Sequence, residues 1–193
     1  MNKINLIPIG FLLIFYAFFF ARNIILTRKL KKSIKEKNML VNLSIIFSAL
    51  SFIGVIIHLT MNEVSKYAII RMSNQALFIA GSALILLGVI LSILASSSLK
   101  NSWRVGIPST EEKTELIKTG MYKFSRNPYF TSFFVVFIGK FLVAPNILVL
   151  VSIIGASTCF HLMVLKEEKY LSSLHGEDYA EYKKSVGRYF KFF

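Results

Sequence analysis

Apolar residues in this chain are gathered into five segments, separated by charged stretches and one very short break. The segments cover residues 4–21, 40–61, 76–99, 129–144 and 147–165. A helix needs about 20 apolar residues to cross a bilayer, so the second and third segments are long enough and the fourth is short. A basic run and no small-residue cleavage site follow the first segment, which favours a retained anchor over a cleaved signal peptide. The pattern predicts an all-α polytopic integral membrane protein with about five transmembrane helices and a helical C-terminal tail.

The last two segments are joined by Pro145-Asn146 with almost no polar sequence between them. We therefore expect a tight helical hairpin whose tip does not clear the far headgroups. This divides the chain into an N-terminal region of three spans, 1–99, and a C-terminal region, 100–193. The second region holds a polar linker, the hairpin and the tail. Within the linker, the pattern predicts a short helix over 110–119.

Basic residues are distributed unevenly among the loops. The loop over 22–39, the loop over 100–128 and the tail from 166 contain seven, six and six of the 23 Lys and Arg residues. Five spans place these three regions on one face, and the other face receives Lys3, Lys66, Arg71 and Lys140. The positive-inside rule then predicts an outside N-terminus and a cytoplasmic C-terminus. Anionic headgroups thus account for the net charge of +13 without nucleic acid.

Composition removes several other classes of site. Hydrophobic residues make up 54% of the chain. Cys159 has no second cysteine to pair with and lies in an apolar run, which is typical of a small buried side chain. The three histidines, His58, His161 and His175, have no metal-ligand spacing, so we predict no metal site. Neither a GxGxxG turn nor a local nucleophile–base motif is present.

The candidate chemistry lies where the last apolar segment ends. Glu167 and Glu168 are adjacent, and helical geometry turns them about 100° apart, so both are not expected to face one ligand. They are either solvated beside neighbouring lysines or one of them binds a ligand hydroxyl or ammonium. We expect the tail helix to be interrupted at His175-Gly176, where Gly176 suits a left-handed conformation.

The start of the fourth segment also has two interpretations. Asn127 can cap a helix in which Pro128 occupies the first turn. Alternatively, the free N–H groups of that turn hold a carboxylate, with Arg126 adding positive charge. Tyr122, Tyr179 and Tyr182 lie at a membrane surface, where tyrosine usually anchors a helix to the interface.

The order of these short motifs resembles that of membrane methyltransferases of the isoprenylcysteine carboxyl methyltransferase and phospholipid methyltransferase type. The resemblance covers about residues 102–189, whereas the first hundred residues match only as generic spans. It rests on a string of positions in the same order: Gly120, Tyr122, Arg126, Asn127, Pro128, Phe130, Gly139, Asn146, Glu167, Glu168, Leu171, Gly176, Tyr179, Tyr182, Val186 and Arg188.

This resemblance implies S-adenosylmethionine as methyl donor, bound at the cytoplasmic ends of the last spans, and a lipophilic acceptor that enters from the bilayer. It implies catalytic roles for Glu168 and Arg188, with Glu168 the more important of the two acids. The implied cofactor-binding residues are Tyr122, Arg126, Asn127, Pro128, Tyr129, Glu167, Gly176, Tyr179 and Tyr182. No partner beyond membrane lipids is implied, and the oligomeric state is left open.

Two positions depart from the family pattern, and two other functions stay open. Asn127 stands where the family commonly has His, and Met163 stands where it often has Arg. The acceptor is therefore open among an isoprenylcysteine, a phospholipid amine and a small lipophilic thiol or acid. The alternatives are an NADPH-dependent membrane reductase of the sterol-reductase type, which resembles the same tail motifs, and a non-enzymatic membrane scaffold.

Overall fold

The computed structural model describes residues 5–30, 39–61, 75–99 and 116–189, and the regular elements in these ranges are helices. In chain order they are α1 (Leu6–Leu30), α2 (Met39–Thr60), α3 (Gln75–Leu99), a 3-10 helix (Gly120–Lys123), α4 (Pro128–Val143) and α5 (Ile147–Ser185). Four of them are long and apolar enough to cross a membrane, and α4 is shorter, with 16 residues. The helix predicted over 110–119 lies mostly outside the described residues, and residues 116–119 are not helical.

Large apolar side chains cover the outside of the helix bundle. One isoleucine on each of the five helices is 53–58% exposed: Ile14, Ile46, Ile79, Ile138 and Ile154. Such a surface suits lipid rather than water, while the helices satisfy their own backbone hydrogen bonds. The chain is therefore an all-α, multi-pass membrane protein, as the hydropathy pattern predicts.

Glycines allow the helices to pack closely in two pairs. A Cβ atom added at Gly81 of α3 would lie 2.8 Å from the Gly139 carbonyl oxygen of α4, and one added at Gly139 would lie 2.7 Å from the Gly81 oxygen. A Cβ atom added at Gly155 of α5 would similarly lie 2.9 Å from the Phe47 ring of α2. Lipid removes the hydrophobic driving force between helices, so close contact at small residues supplies much of the attraction.

An aromatic cluster joins the two pairs to α1. The Phe133 ring of α4 lies 4.7 Å from the Phe15 ring of α1 and 4.9 Å from the Phe160 ring of α5, both in edge-to-face geometry. Aromatic pairs in this arrangement contribute about 0.5–1.5 kcal/mol each beyond their buried area. The cluster lies near the N-terminal end of α4 and fixes the three helices that carry or border the candidate site.

The hairpin turn between α4 and α5 is buried inside the bundle. Asn146 caps α5 by accepting a hydrogen bond from the Val149 N–H at 3.0 Å, and its Nδ2 donates to the Gly54 carbonyl of α2 at 3.4 Å. Helix α2 continues six residues beyond Gly54, about 9 Å. The turn therefore stops short of the end of α2, and its position relative to the headgroups stays a prediction.

Lys140 corrects one detail of the charge count. The sequence assigns it to the outer face, but the side chain is fully buried in the bundle. Its Nζ donates to the Tyr16 hydroxyl at 2.6 Å and to Ser51 Oγ at 2.7 Å, and lies 5.0 Å from the Tyr16 ring centroid. A hydropathy window cannot reveal this position, because the lysine is satisfied by hydroxyl groups on α1 and α2 rather than by headgroups.

Candidate functional site

Glu168 lies at the centre of a cluster of charged side chains, at the point where the apolar part of α5 ends. It is 4% exposed, and each of its two carboxylate oxygens accepts from a different arginine. Arg126 donates to Oε1 through Nε at 3.0 Å and Nη2 at 2.9 Å. Arg188 donates to Oε2 through Nε at 3.1 Å and Nη2 at 2.9 Å. We call Arg126, Glu168 and Arg188 the clamp, because they join the start of α4, the end of the last span and the C-terminal segment.

The clamp requires α5 to fold back on itself at Gly176. Arg126 also donates through Nη1 to the carbonyls of Lys183 and Val186, 15 and 18 residues after Glu168. In a straight helix, Lys183 would lie about 22 Å beyond Glu168, out of reach of one guanidinium. Gly176 has φ 51° and ψ −121°, a conformation that only glycine adopts easily, and it turns the chain. The predicted interruption at Gly176 is thus confirmed as a sharp kink.

The segment Val186–Tyr189, which we call the strap, runs alongside the start of α4. The N–H groups of Arg126 and Asn127 donate to the carbonyls of Gly187 and Arg188 at 2.9 and 3.1 Å. The Arg188 carbonyl also accepts from the side chains of Asn127 and Ser125, both at 3.2 Å. Backbone pairing thus holds the strap in place in addition to the ion pairs.

Asn127 does not cap α4 as the sequence suggested. Its side chain makes no cap hydrogen bond, and Nδ2 instead donates to the Arg188 carbonyl and, at 3.4 Å, to Glu168 Oε1. The amide is buried against the clamp, where the low local dielectric makes its hydrogen bonds stronger than they would be at a solvated helix end. Pro128 does occupy the first turn of α4, as predicted.

Glu167 faces a different environment from Glu168. It is partly exposed, and no hydrogen bond from the described part of the chain reaches its carboxylate. Burial, together with a smaller effect of the neighbouring Glu168 charge, raises the pKa of Glu167 to about 7. Burial also raises the pKa of Tyr122, and the nearby Glu167 carboxylate adds to that effect. Glu167 is therefore a carboxylate with an unused hydrogen-bonding capacity beside Tyr122.

The two acids differ in charge as a result. Burial alone would raise the pKa of Glu168, but hydrogen bonds and charge from Arg188 and Arg126 outweigh it and lower the pKa. Glu168 is thus ionised and fully engaged, whereas Glu167 titrates near neutral pH. This agrees with the expectation that adjacent helical positions face different surroundings.

The predicted tyrosines separate into two groups. Tyr182 donates its hydroxyl to the Tyr122 carbonyl at 2.6 Å, and with Tyr179 and Val186 it forms a small buried cluster. These contacts hold the folded-back tail against the 3-10 helix that carries Tyr122. Tyr129 instead points into the bundle, where its ring lies 5.6 Å from Phe133. The structure therefore brings Tyr122, Tyr179 and Tyr182 together with the clamp.

Some contacts at the site were not predicted. His161 Nδ1 lies 2.7 Å from the Tyr189 hydroxyl, on the bilayer side of Glu168. Thr131 Oγ1 lies 3.2 Å from the Tyr189 carbonyl and 3.3 Å from Ser125 Oγ. A seven-residue interval between His161 and Glu168 was the available sequence signal, since it places both on one helix face. No metal-binding group of three or more His, Cys, Asp or Glu occurs among the described residues.

The sequence was compared with known protein families and with curated proteins. The sequence profile of the family described as phospholipid methyltransferase matches residues 76–178, more than half of the 193 residues. Protein-S-isoprenylcysteine O-methyltransferase of Saccharomyces cerevisiae is 33% identical over 111 residues, which are 56% of this chain and 46% of that protein. The chain thus spans about half the length of this relative.

Proposed function

Because the chain belongs to the phospholipid methyltransferase family, we propose that it is an integral membrane methyltransferase that uses S-adenosylmethionine and a lipophilic acceptor. The methyl donor supplies an electrophilic methyl group on a sulfonium, which becomes a neutral thioether as the acceptor forms its new bond to carbon. A displacement of this kind depends mainly on how the two reactants are positioned. The chain has to hold a cation at the cytosolic side and admit an apolar molecule from the bilayer.

The observation that carries this proposal is the contrast between Glu167 and Glu168. Glu167 has no hydrogen-bond or ion-pair partner in the part of the chain that the structure describes, so its carboxylate is available to a ligand that bears a sulfonium and an ammonium. The ring of Tyr122 beside it can face a cation favourably. The chemistry of these groups therefore fits the cofactor that the family implies, with Glu167 and Tyr122 as its first contacts.

Glu168 and Arg188 act, in this proposal, as positioning residues. Both oxygens of Glu168 are already engaged, so it holds the tail against α4 rather than meeting a reactant. The clamp fixes Tyr179 and Tyr182 next to Tyr122, which completes the cytosolic side of the cofactor site. Gly176 serves the same end by reversing the direction of α5.

The clamp also bears on the NADPH-dependent reductase. A pyrophosphate or a 2′-phosphate needs free cationic side chains. The side chain of Arg126 is 9% exposed and directs four of its five N–H donors to Glu168 and two carbonyls, which leaves at most one for a phosphate. Arg126 is therefore poorly suited to bind a phosphate of NADPH.

Isothermal calorimetry on the detergent-solubilised protein tests the cofactor. We expect S-adenosylhomocysteine to bind with a Kd in the micromolar range, about −8 kcal/mol, as a polar ligand held by several hydrogen bonds does. NADPH should give no heat under the same conditions. If the protein binds NADPH but not S-adenosylhomocysteine, the reductase function replaces the one proposed. If it binds neither compound, the non-enzymatic scaffold is the function that remains.

We further propose that the N-terminus is outside and that the site faces the cytosol. The three basic regions of the sequence support this orientation, because they follow α1, α3 and the last span. A cysteine placed at the exposed position Ser173 should react only after the membrane is permeabilised. Reaction with an impermeant reagent in intact cells would invert the orientation.

A further inference from the structure

His161 and Tyr189 form a polar pair at the lipid-facing side of the site. His161 Nδ1 lies 2.7 Å from the Tyr189 hydroxyl, and the Tyr189 ring packs edge-on against Phe134 of α4 at 5.0 Å. Both polar side chains are partly exposed, next to the exposed Leu162 and Leu165. The pair therefore opens onto the apolar surface of the bundle, where an isolated polar group has no structural necessity.

The position of the pair relative to the clamp is fixed by helix geometry. His161 precedes Glu168 by seven residues, two helical turns, so it lies on the same side of α5 and about 10 Å nearer the bilayer. Tyr189 follows Arg188 directly in the strap. A molecule that approached the site through the lipid would thus meet the pair immediately before the clamp.

The pair has a hydrogen-bond donor in excess. A neutral imidazole and a phenol carry two donor protons, and their mutual hydrogen bond uses one of them. Burial raises the pKa of Tyr189 to about 12, so the phenol keeps its proton at neutral pH. Neither side chain has a further hydrogen bond within the described residues. One donor, on His161 Nε2 or on Tyr189 Oη, is left for a ligand whichever tautomer is present.

The surrounding charge favours an anion at this point. The clamp contains two guanidinium groups and one carboxylate and so has a net charge of about +1 when all three are ionised. The Arg188 side chain in it is 36% exposed, on the same segment as Tyr189. A free donor beside a net positive cluster suits an oxyanion rather than an ammonium.

We propose that the His161–Tyr189 pair, with the exposed edge of Arg188, binds the anionic headgroup of a lipid-soluble amphiphile, by a carboxylate or phosphate oxygen. The assignment of that amphiphile as the methyl acceptor rests on the proposed function, whereas the anion site itself does not. It places the anion-binding face on the side of Glu168 and the cation-binding face on the side of Glu167.

Binding of matched amphiphiles to the purified protein in neutral detergent tests the site without requiring turnover. The probes are S-farnesylcysteine, its methyl ester, which lacks the carboxylate charge, and a phosphatidic acid as the phosphate source. We expect the wild-type protein to bind S-farnesylcysteine or the phosphatidic acid at least tenfold more tightly than the methyl ester. His161→Leu and Tyr189→Phe should each reduce that preference about tenfold, as the loss of a hydrogen bond to a charged group does.

Controls separate this site from general damage. Tyr170→Phe and His175→Leu alter the same residue types elsewhere on α5 and should leave the preference unchanged. If His161→Leu and Tyr189→Phe also bind the methyl ester more weakly, the variants are partly unfolded. In that case His161→Gln, which retains a hydrogen-bond donor, should recover part of the preference for the charged probes over the methyl ester. An equal affinity of the wild-type protein for charged and neutral probes would overturn the proposal. Calorimetry with S-adenosylhomocysteine on the same samples reports separately on the proposed function.

Discussion

Replacement of Glu168 by glutamine is the most informative change that the structure suggests. The substitution keeps the size of the side chain and removes the charge that two arginines share. Arg126 would then lie buried beside an amide, with its neighbour Arg188 no longer neutralised. The strap and the folded-back tail depend on these ion pairs, so we expect local release of the tail rather than unfolding of the bundle.

The size of the effect follows from burial. Breaking a buried ion pair by removing one partner costs about 3–5 kcal/mol. Arg188 keeps 36% of its side chain exposed, and solvent screening reduces its share, so we take the lower end, about 3 kcal/mol. This corresponds to a shift of about 10² in the equilibrium between docked and released tail. The Kd for S-adenosylhomocysteine should rise by up to the same factor.

Limited trypsin digestion in nanodiscs and calorimetry measure the two consequences. Glu168→Gln should be cleaved faster than the wild type at Lys183 and Lys184, which lie in the folded-back tail. Glu167→Gln is the matched control: its tail should resist trypsin like the wild type, while cofactor affinity falls. Wild-type protection and wild-type affinity in Glu168→Gln would refute the clamp as the element that holds the tail.

Three further changes test separate parts of the structure. The pKa of Glu167 is raised to about 7, so the fraction of its carboxylate that is ionised increases between pH 6 and pH 8. The affinity for the cationic S-adenosylmethionine should increase by up to about tenfold over this range, and it should not change with pH in Glu167→Gln. In Gly176→Ala the added methyl group meets no neighbouring atom, so backbone strain alone should weaken the docking of the tail, by about 1–3 kcal/mol, measured as faster trypsin cleavage. Gly10→Ala is the control, because its methyl group also meets no atom but its backbone is not strained, and trypsin cleavage should not change. Lys140→Ala should lower the free energy of unfolding in detergent by about 3 kcal/mol, because it leaves a cavity and removes the donor to Tyr16. Lys140→Met fills most of that space and should lower the free energy of unfolding less.

The helices that cross the membrane were predictable because the bilayer imposes their length. The ends of α2, α3 and α4 differ by at most one residue from the apolar segments in the sequence. Hydropathy could not give the end of α5, since its last twenty residues are polar and are held by contacts with α4 instead of by lipid. It also missed the burial of Lys140, because one charge in an apolar window changes the average little.

The clamp could not be derived from the sequence, although its members were all candidates. Arg126 and Glu168 are 42 residues apart, and Arg188 follows Glu168 by 20. No helical spacing joins them, so the sequence assigned Arg126 to the cofactor and Glu168 to catalysis as independent groups. Their mutual neutralisation depends on the kink at Gly176, which a glycine alone suggests but whose direction only the packed structure determines.

The two adjacent acids Glu167 and Glu168 thus give the end of the last span two faces of opposite charge. Glu168 is outweighed by two arginines, so its side of α5 is positive. Within residues 5–30, 39–61, 75–99 and 116–189, Glu167 has no cationic partner, so its side is negative. A methyl transfer from a sulfonium to an oxyanion requires a cation and an anion to be bound close together without either being neutralised by the protein. Under the proposed function, the 100° angle between neighbouring helical residues supplies this separation. The adjacency of the two acids at the membrane boundary would then matter more than the presence of either one. Glu167→Gln should therefore weaken the binding of the cationic ligand and leave the binding of the anionic ligand unaffected.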